Sequence, residues 1–133
     1  MIEKLELIKD LYPYQPKSLE VAGGHKLSYI DEGQGEPMLM VHGNPTWSFF
    51  YRRLVEEFKT SFRTVVPDHI GCGFSDKPQD YEYTLENHIS NLEKLILELD
   101  LKNITLVVHD WGGAIGTGLA GRYPERFKRL VIF

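Results

Sequence analysis

The chain has 133 residues, 42% hydrophobic and 26% charged, with a formal net charge of −4. That composition suits a chain that buries a core, and the acidic balance excludes the electrostatic footprint of a nucleic-acid binder. Cys72 is the single cysteine, which excludes an intrachain disulfide and fits a reducing, cytoplasmic setting; Met1 to Asp10 reads neither as a signal peptide nor as a membrane span.

Residues Met1 to Pro16 read as a lead-in with some helical character, broken by Pro13 and Pro16. Ser18 to Ala22, the Gly23-Gly24 turn and Lys26 to Asp31 predict a hairpin of two strands. Met38 to Val41 is a short apolar run with the character of a buried strand, followed by a Gly- and Pro-punctuated loop, His42-Gly43-Asn44-Pro45-Thr46-Trp47. Ser48 is placed to cap a helix running to about Lys59. Thr64 to Val66 predicts a strand closed by Pro67, and Asp68 to Pro78 a long, turn-rich loop. Thr84 begins a helix whose Leu85, Ile89, Leu92, Leu95, Ile96 and Leu99 recur three or four positions apart and form one apolar face. From Met38 onward strands alternate with helices, which implies parallel pairing through right-handed crossovers and a sheet covered on both faces.

The most informative stretch is Val107-Val108-His109-Asp110-Trp111-Gly112-Gly113. Ile104 to Val108 has no polar alternation and reads as a strand buried on both faces, whose end faces a cleft. Beyond Asp110, Gly112, Gly113, Gly116, Gly118 and Gly121 fall within a helix, where each costs roughly 1 kcal/mol against Ala. Close approach of that helix to the sheet, through a tight strand-to-helix turn, would offset such a cost. This is the pattern of a nucleophile elbow with a carboxylate at its tip, although Val108 stands where the G-x-S-x-G form has glycine. An ionised Asp attacks without a base and leaves a covalent ester, so displacement at a saturated carbon becomes available; hydrolysis of the ester then needs water and a general base. The residues leave a second reading open, in which Asp110 is the N-cap of the following helix.

The helix closes at Tyr123-Pro124, and Arg129 to Phe133 begins a further apolar strand. A chain stopping inside such a strand leads to the expectation of an amino-terminal part of a longer protein. His25, His42, His69, His88 and His109 lack zinc-type spacing with Cys or acidic partners, so neither a metal nor a cofactor is expected.

Three blocks, His42 to Trp47, Pro67 to Pro78 and Val108 to Gly113, occur in an order that resembles the α/β-hydrolase superfamily, specifically its haloalkane dehalogenase-like branch. The resemblance covers nearly the whole chain. In that family Val108 before His-Asp-Trp is usual. The resemblance implies an α/β-hydrolase fold: a mostly parallel sheet with an amino-terminal antiparallel hairpin and helices on both faces. It also implies that residues 1–133 form the amino-terminal part of the core, with the lid, a catalytic acid and a catalytic His falling beyond Phe133.

By the same resemblance Asp110 is the nucleophile, and the Asn44 amide and Trp111 indole N–H bind a departing halide. The backbone N–H groups of Asn44 and Trp111 form the oxyanion hole. Read from the residues alone, Asn44 is a turn-former before Pro45 and Trp111 a core aromatic. His109 is read as a packed, hydrogen-bonded histidine directed away from Asp110, His42 as a structural residue shaping the oxyanion loop, and Cys72 as a small residue packed in a loop. Asp68, Asp76 and Lys77 are read as turn and surface residues.

The expected activity is carbon–halogen cleavage through an aspartyl ester on a small hydrophobic substrate, with the oligomeric state left open. The three blocks, Asp68 to Gly73 in particular, are also very similar to the β-lactone decarboxylases of long-chain olefin biosynthesis. Epoxide hydrolases, which carry an aromatic residue where this chain has Asn44, stand third. From a different class comes a catalytically incomplete fragment that acts only by association with its missing half.

Overall fold

The period-2 and period-3.6 patterns of the sequence resolve, in a computed structural model describing residues 2–133, into helix α1 (Ile2–Ile8), strands β1 (Lys17–Val21), β2 (His25–Glu32) and β3 (Pro37–Val41), helix α2 (Arg52–Phe58), strand β4 (Arg63–Pro67), helix α3 (Leu85–Glu98), strand β5 (Ile104–Val108), helix α4 (Trp111–Arg122) and strand β6 (Phe127–Ile132). Met1, the first residue of the lead-in, lies outside the described residues. The strands form one sheet in the order β1-β2-β4-β3-β5-β6. The β1–β2 and β2–β4 pairs are antiparallel, and β4, β3, β5 and β6 run parallel. The structure thus has the expected α/β-hydrolase arrangement, a mostly parallel sheet with a leading hairpin.

Alternation along the central strands explains why they are mostly apolar, Thr105 of β5 and Thr64 of β4 being buried polar exceptions. Leu39 and Val41 of β3, with Leu106 and Val108 of β5, pack on one face with Leu92, Leu95 and Ile96 of α3 and Ile115 and Leu119 of α4. Met38 and Met40 point the opposite way, into a second cluster with Val66, Val107, Tyr51 and Val55. Both faces are therefore dry, as a parallel sheet requires. The apolar face of α3 is as predicted for Ile89, Leu92, Leu95 and Ile96, and Thr84 caps that helix by accepting from the Asn87 N–H at 3.1 Å.

Three local readings are corrected. Ser48 is not a cap: it opens a short 3-10 segment, Ser48–Tyr51, ahead of α2, and it is fully buried. Its hydroxyl hydrogen-bonds Tyr12 Oη at 2.7 Å. Strand β6 starts at Phe127 rather than Arg129, because the short 3-10 turn Pro124–Arg126 brings the chain back to the sheet at once. Asp68 is neither a turn nor a surface residue but a fully buried carboxylate, accepting from the backbone N–H of Ser48 at 2.7 Å and of Phe74 at 2.9 Å.

The register that matters most is that of β3 against β5, where Val41 lies beside Val108. Both strands end level, so the loops His42–Asn44 and His109–Trp111 leave the sheet side by side. None of the helices among the described residues is long and apolar enough to cross a membrane.

Candidate active site

The turn after β5 is strained in the manner a nucleophile elbow requires. Asp110 has φ 56° and ψ −130°, a conformation costing an L-residue on the order of 1–3 kcal/mol. Helix α4 starts immediately at Trp111, and Asp110 occupies its N-cap position, yet its side chain makes no capping hydrogen bond. Its Oδ2 instead accepts from the Asn44 backbone N–H at 3.0 Å. The capping reading is therefore not realised; the carboxylate is turned toward the loop after β3.

Two glycines make that approach possible. A Cβ on Gly43 would lie 2.5 Å from the Asp110 Cβ, and one on Gly112 would lie 2.1 Å from the Val41 carbonyl oxygen. Further along α4, a Cβ on Gly116 would meet Val108 Cγ1 at 2.6 Å and one on Gly118 would meet Ile89 Cδ1 at 2.5 Å. Gly112 and Gly116 thus let the helix lie close against the sheet, and Gly118 lets it lie close against α3. Nothing lies within 4 Å of a Cβ placed on Gly113 or Gly121, and these two have no packing explanation.

The electrostatics favour an ionised Asp110. The Trp111 backbone N–H, and after it the Asn44 backbone N–H, hold its carboxyl below the usual carboxylate range. The Asn44 N–H engages Oδ2 of the two carboxylate oxygens. The Asn44 side chain is exposed and Trp111 is 54% exposed, and among the described residues neither the Asn44 amide nor the Trp111 indole N–H has a hydrogen-bond partner within the chain. Trp111 is thus not the core aromatic that its residue type favoured. Both donors line a cavity of about 450 Å³, closed on other sides by His69, Ile70, Tyr83 and Leu85. Asp110 does not itself line that cavity, but it is bonded to Asn44, which does. The three residues singled out in the sequence are therefore brought together.

The histidines divide differently. His109 stacks on Phe50 with ring centroids 4.8 Å apart at 21°, and its buried Nδ1 has no hydrogen-bond partner, so it is packed as expected but not hydrogen-bonded through that nitrogen. His42 is fully buried at the end of β3, and burial drives its pKa down to about 4. His69, missed in the sequence as a site neighbour, is 5% exposed and pushed well below the usual imidazole range by burial and by the neighbouring His42. His88 lines the same cavity and has a buried, unpartnered Nδ1. Asp68 is shifted the other way, its carboxyl raised by burial against the opposing effect of the Phe74 and Ser48 N–H groups. Cys72 is half-buried at the cavity wall, where burial raises its thiol pKa. Asp76 accepts from the Lys26 N–H, and Lys77 donates to the Gly73 and Ser75 carbonyls. Among the described residues no cluster of His, Cys, Asp or Glu could hold a metal ion.

The chain as a whole is similar to known enzymes. The chain is 60% identical over 129 residues to a cis-3-alkyl-4-alkyloxetan-2-one decarboxylase of Shewanella oneidensis, an alignment covering 95% of this chain and 40% of the relative. It is 34% identical over 122 residues to haloalkane dehalogenase 2 of Mycobacterium bovis, covering 92% of this chain and 42% of the relative. Among solved structures, a variant of an epoxide hydrolase from Bacillus megaterium, in complex with its product, superposes with a TM-score of 0.80 at 40% identity, over 88% of this chain and 41% of that one. The chain spans well under half the length of each of these proteins. The family model described as the alpha/beta hydrolase fold matches residues 36–132, and the chain belongs to that family.

Proposed function

We propose that Asp110 is a nucleophile that opens a cis-3,4-dialkyl β-lactone through a covalent ester, within a longer enzyme of which these residues are the amino-terminal part of the core. The observation that carries the nucleophile is the pinned carboxylate: Oδ2 held by the Asn44 N–H at 3.0 Å on a backbone of φ 56°. The choice of lactone rests on the 60% identity to the Shewanella oneidensis decarboxylase, against 34% to the dehalogenase.

In this reading Oδ1 attacks the alkyl-bearing ring carbon attached to oxygen. A carbon–oxygen bond forms as the ring carbon–oxygen bond breaks, and the former lactone carbonyl departs as a carboxylate. The neutral Asn44 amide and Trp111 indole N–H stabilise the charge gathering there. The carboxylate then leaves as CO2, its bonding electrons form the alkene, and the aspartyl carbon–oxygen bond breaks to restore Asp110. Backside attack followed by departure of the two groups from opposite sides keeps the alkyl groups cis. No water enters and no proton is transferred.

A second reading follows from the same two donors. Neutral donors at the leaving-group position suit a departing halide as well, and the dehalogenase relative supports haloalkane cleavage by the same first step. There the ester needs water and a base, and Asn44 and Trp111 backbone N–H groups would form the oxyanion hole for its hydrolysis. The readings separate on one comparison. Incubation with a cis-3,4-dialkyl oxetan-2-one should release alkene and CO2, whereas a 1-bromoalkane should leave a trapped ester; a trapped ester from the bromoalkane with no alkene from the lactone would reverse the order.

A further inference from the structure

The two buried histidines beside the elbow are joined reciprocally. The His69 backbone N–H donates to His42 Nε2 at 3.0 Å, and His69 Nε2 faces the His42 carbonyl oxygen at 3.0 Å. His42 Nδ1 faces the Gly43 carbonyl oxygen at 2.8 Å, and the rings lie 4.1 Å apart. A carbonyl oxygen can only accept, so His69 carries its proton on Nε2 and His42 carries its proton on Nδ1. The remaining His42 nitrogen receives the His69 N–H, leaving no room for a second proton.

The consequence lies in one peptide unit. The Gly43 carbonyl that His42 holds and the Asn44 N–H that holds Asp110 Oδ2 belong to the same planar group. Fixing one end of that plane aims the other. In the opposite tautomer His42 would turn a lone pair toward the Gly43 oxygen, and the plane would lose its anchor. We propose that His69 is a positioning residue for the first chemical step: with His42 it forms a tautomer-locked clamp that aims the Gly43–Asn44 peptide at Asp110. The functional half of this inference rests on Asp110 being the nucleophile; the clamp itself does not.

The test therefore has arms that fail separately. In the wild-type chain, histidine 15N NMR should show His42 protonated on Nδ1 and His69 on Nε2, both neutral at pH 7; His42 on Nε2 would overturn the clamp without any variant. His69→Leu removes the donor to the His42 carbonyl, and 13C NMR of the Asp110 carboxyl should then show its pKa rising by roughly half a unit or more as the Asn44 contact loosens. His69→Gln, whose amide can donate to the same carbonyl, should restore it. With 1-bromohexane as probe, the maximal rate of ester formation should fall about tenfold in His69→Leu, the loss of about 1.4 kcal/mol of transition-state stabilisation, while half-saturation stays unchanged and His69→Gln remains within about twofold. An unmoved Asp110 pKa in a folded His69→Leu chain would overturn the proposal. Absence of an ester in the wild type would instead sink the nucleophile, leaving the NMR results to judge the clamp.

Discussion

Adjacent glycines at the start of α4 should respond to the same substitution with opposite signs. In Gly113→Ala the new methyl meets nothing within 4 Å, so the gain is the helix-interior preference of Ala over Gly, about 0.8–1 kcal/mol. In Gly112→Ala the methyl would sit 2.1 Å from the Val41 carbonyl oxygen and 2.7 Å from that of His42. Both are backbone atoms of β3 and its loop, tied on one side by the β3–β5 register, so no side chain can swing away. Ordinary contact requires more than 3 Å, and the helix must therefore move off the sheet by the better part of an ångström. Overpacking of this kind costs roughly 1–3 kcal/mol or more, which outweighs the propensity gain. Urea unfolding of the two variants beside wild type should place Gly113→Ala above wild type in midpoint and Gly112→Ala below it, with the gap set by the overpacking cost of roughly 1–3 kcal/mol or more. A Gly112→Ala chain as stable as Gly113→Ala would show that helix and sheet are not in the close contact on which the elbow depends.

Other outcomes follow from the same geometry. His42 is held neutral by burial, its pKa falling from 6.5 to about 4, so the unfolded chain binds the extra proton first. Stability is then present above the unfolded value and lost as pH falls toward the folded one. With about 1.36 kcal/mol per pH unit, the loss between pH 7.5 and pH 5 is about 2 kcal/mol. His69 adds in the same direction, whereas Asp68, raised by burial, works in the opposite one. Urea unfolding at the two pH values should show a smaller drop in His42→Asn than in wild type, and equal drops would refute the assignment. Trp111→Phe removes the exposed indole donor without touching the core and should slow ester formation about tenfold or more with unchanged stability, measured by adduct kinetics beside thermal melts. On the proposal that these residues are only part of the enzyme and its hydrolytic base lies elsewhere, they should form one ester per chain with an alkyl bromide and stop; multiple turnover would disprove that.

Much of the fold was legible because the governing patterns are local. The run of apolar and β-branched residues Ile104–Val108, the spacing of Ile89, Leu92, Leu95 and Ile96, and Thr84 at the helix start each carry their meaning within one element. The tight strand-to-helix turn was legible for a similar reason: the strand, Asp110 and the glycines are contiguous. What escaped was the chemistry made by distant segments. Asp68 sits between Pro67 and a glycine-rich loop and looks solvated, yet it is buried because N–H groups from Ser48 and Phe74 converge on it, from 20 and 6 residues away. Ser48 looked like a cap because its hydroxyl partner, Tyr12, is 36 residues distant. The His42–His69 pair spans 27 residues, and two histidines without a metal-like spacing give no warning that they meet.

The claim on which the functional reading stands is that Asp110 forms the ester. Intact-mass spectrometry after incubation with a reactive alkyl bromide, followed by peptide mapping, reads it directly with Asp110→Asn as control. One alkyl group mapped to Asp110 in the wild-type chain and absent from the control is the expected result. A folded wild-type chain that stays unmodified, or an adduct that persists in Asp110→Asn, would contradict it.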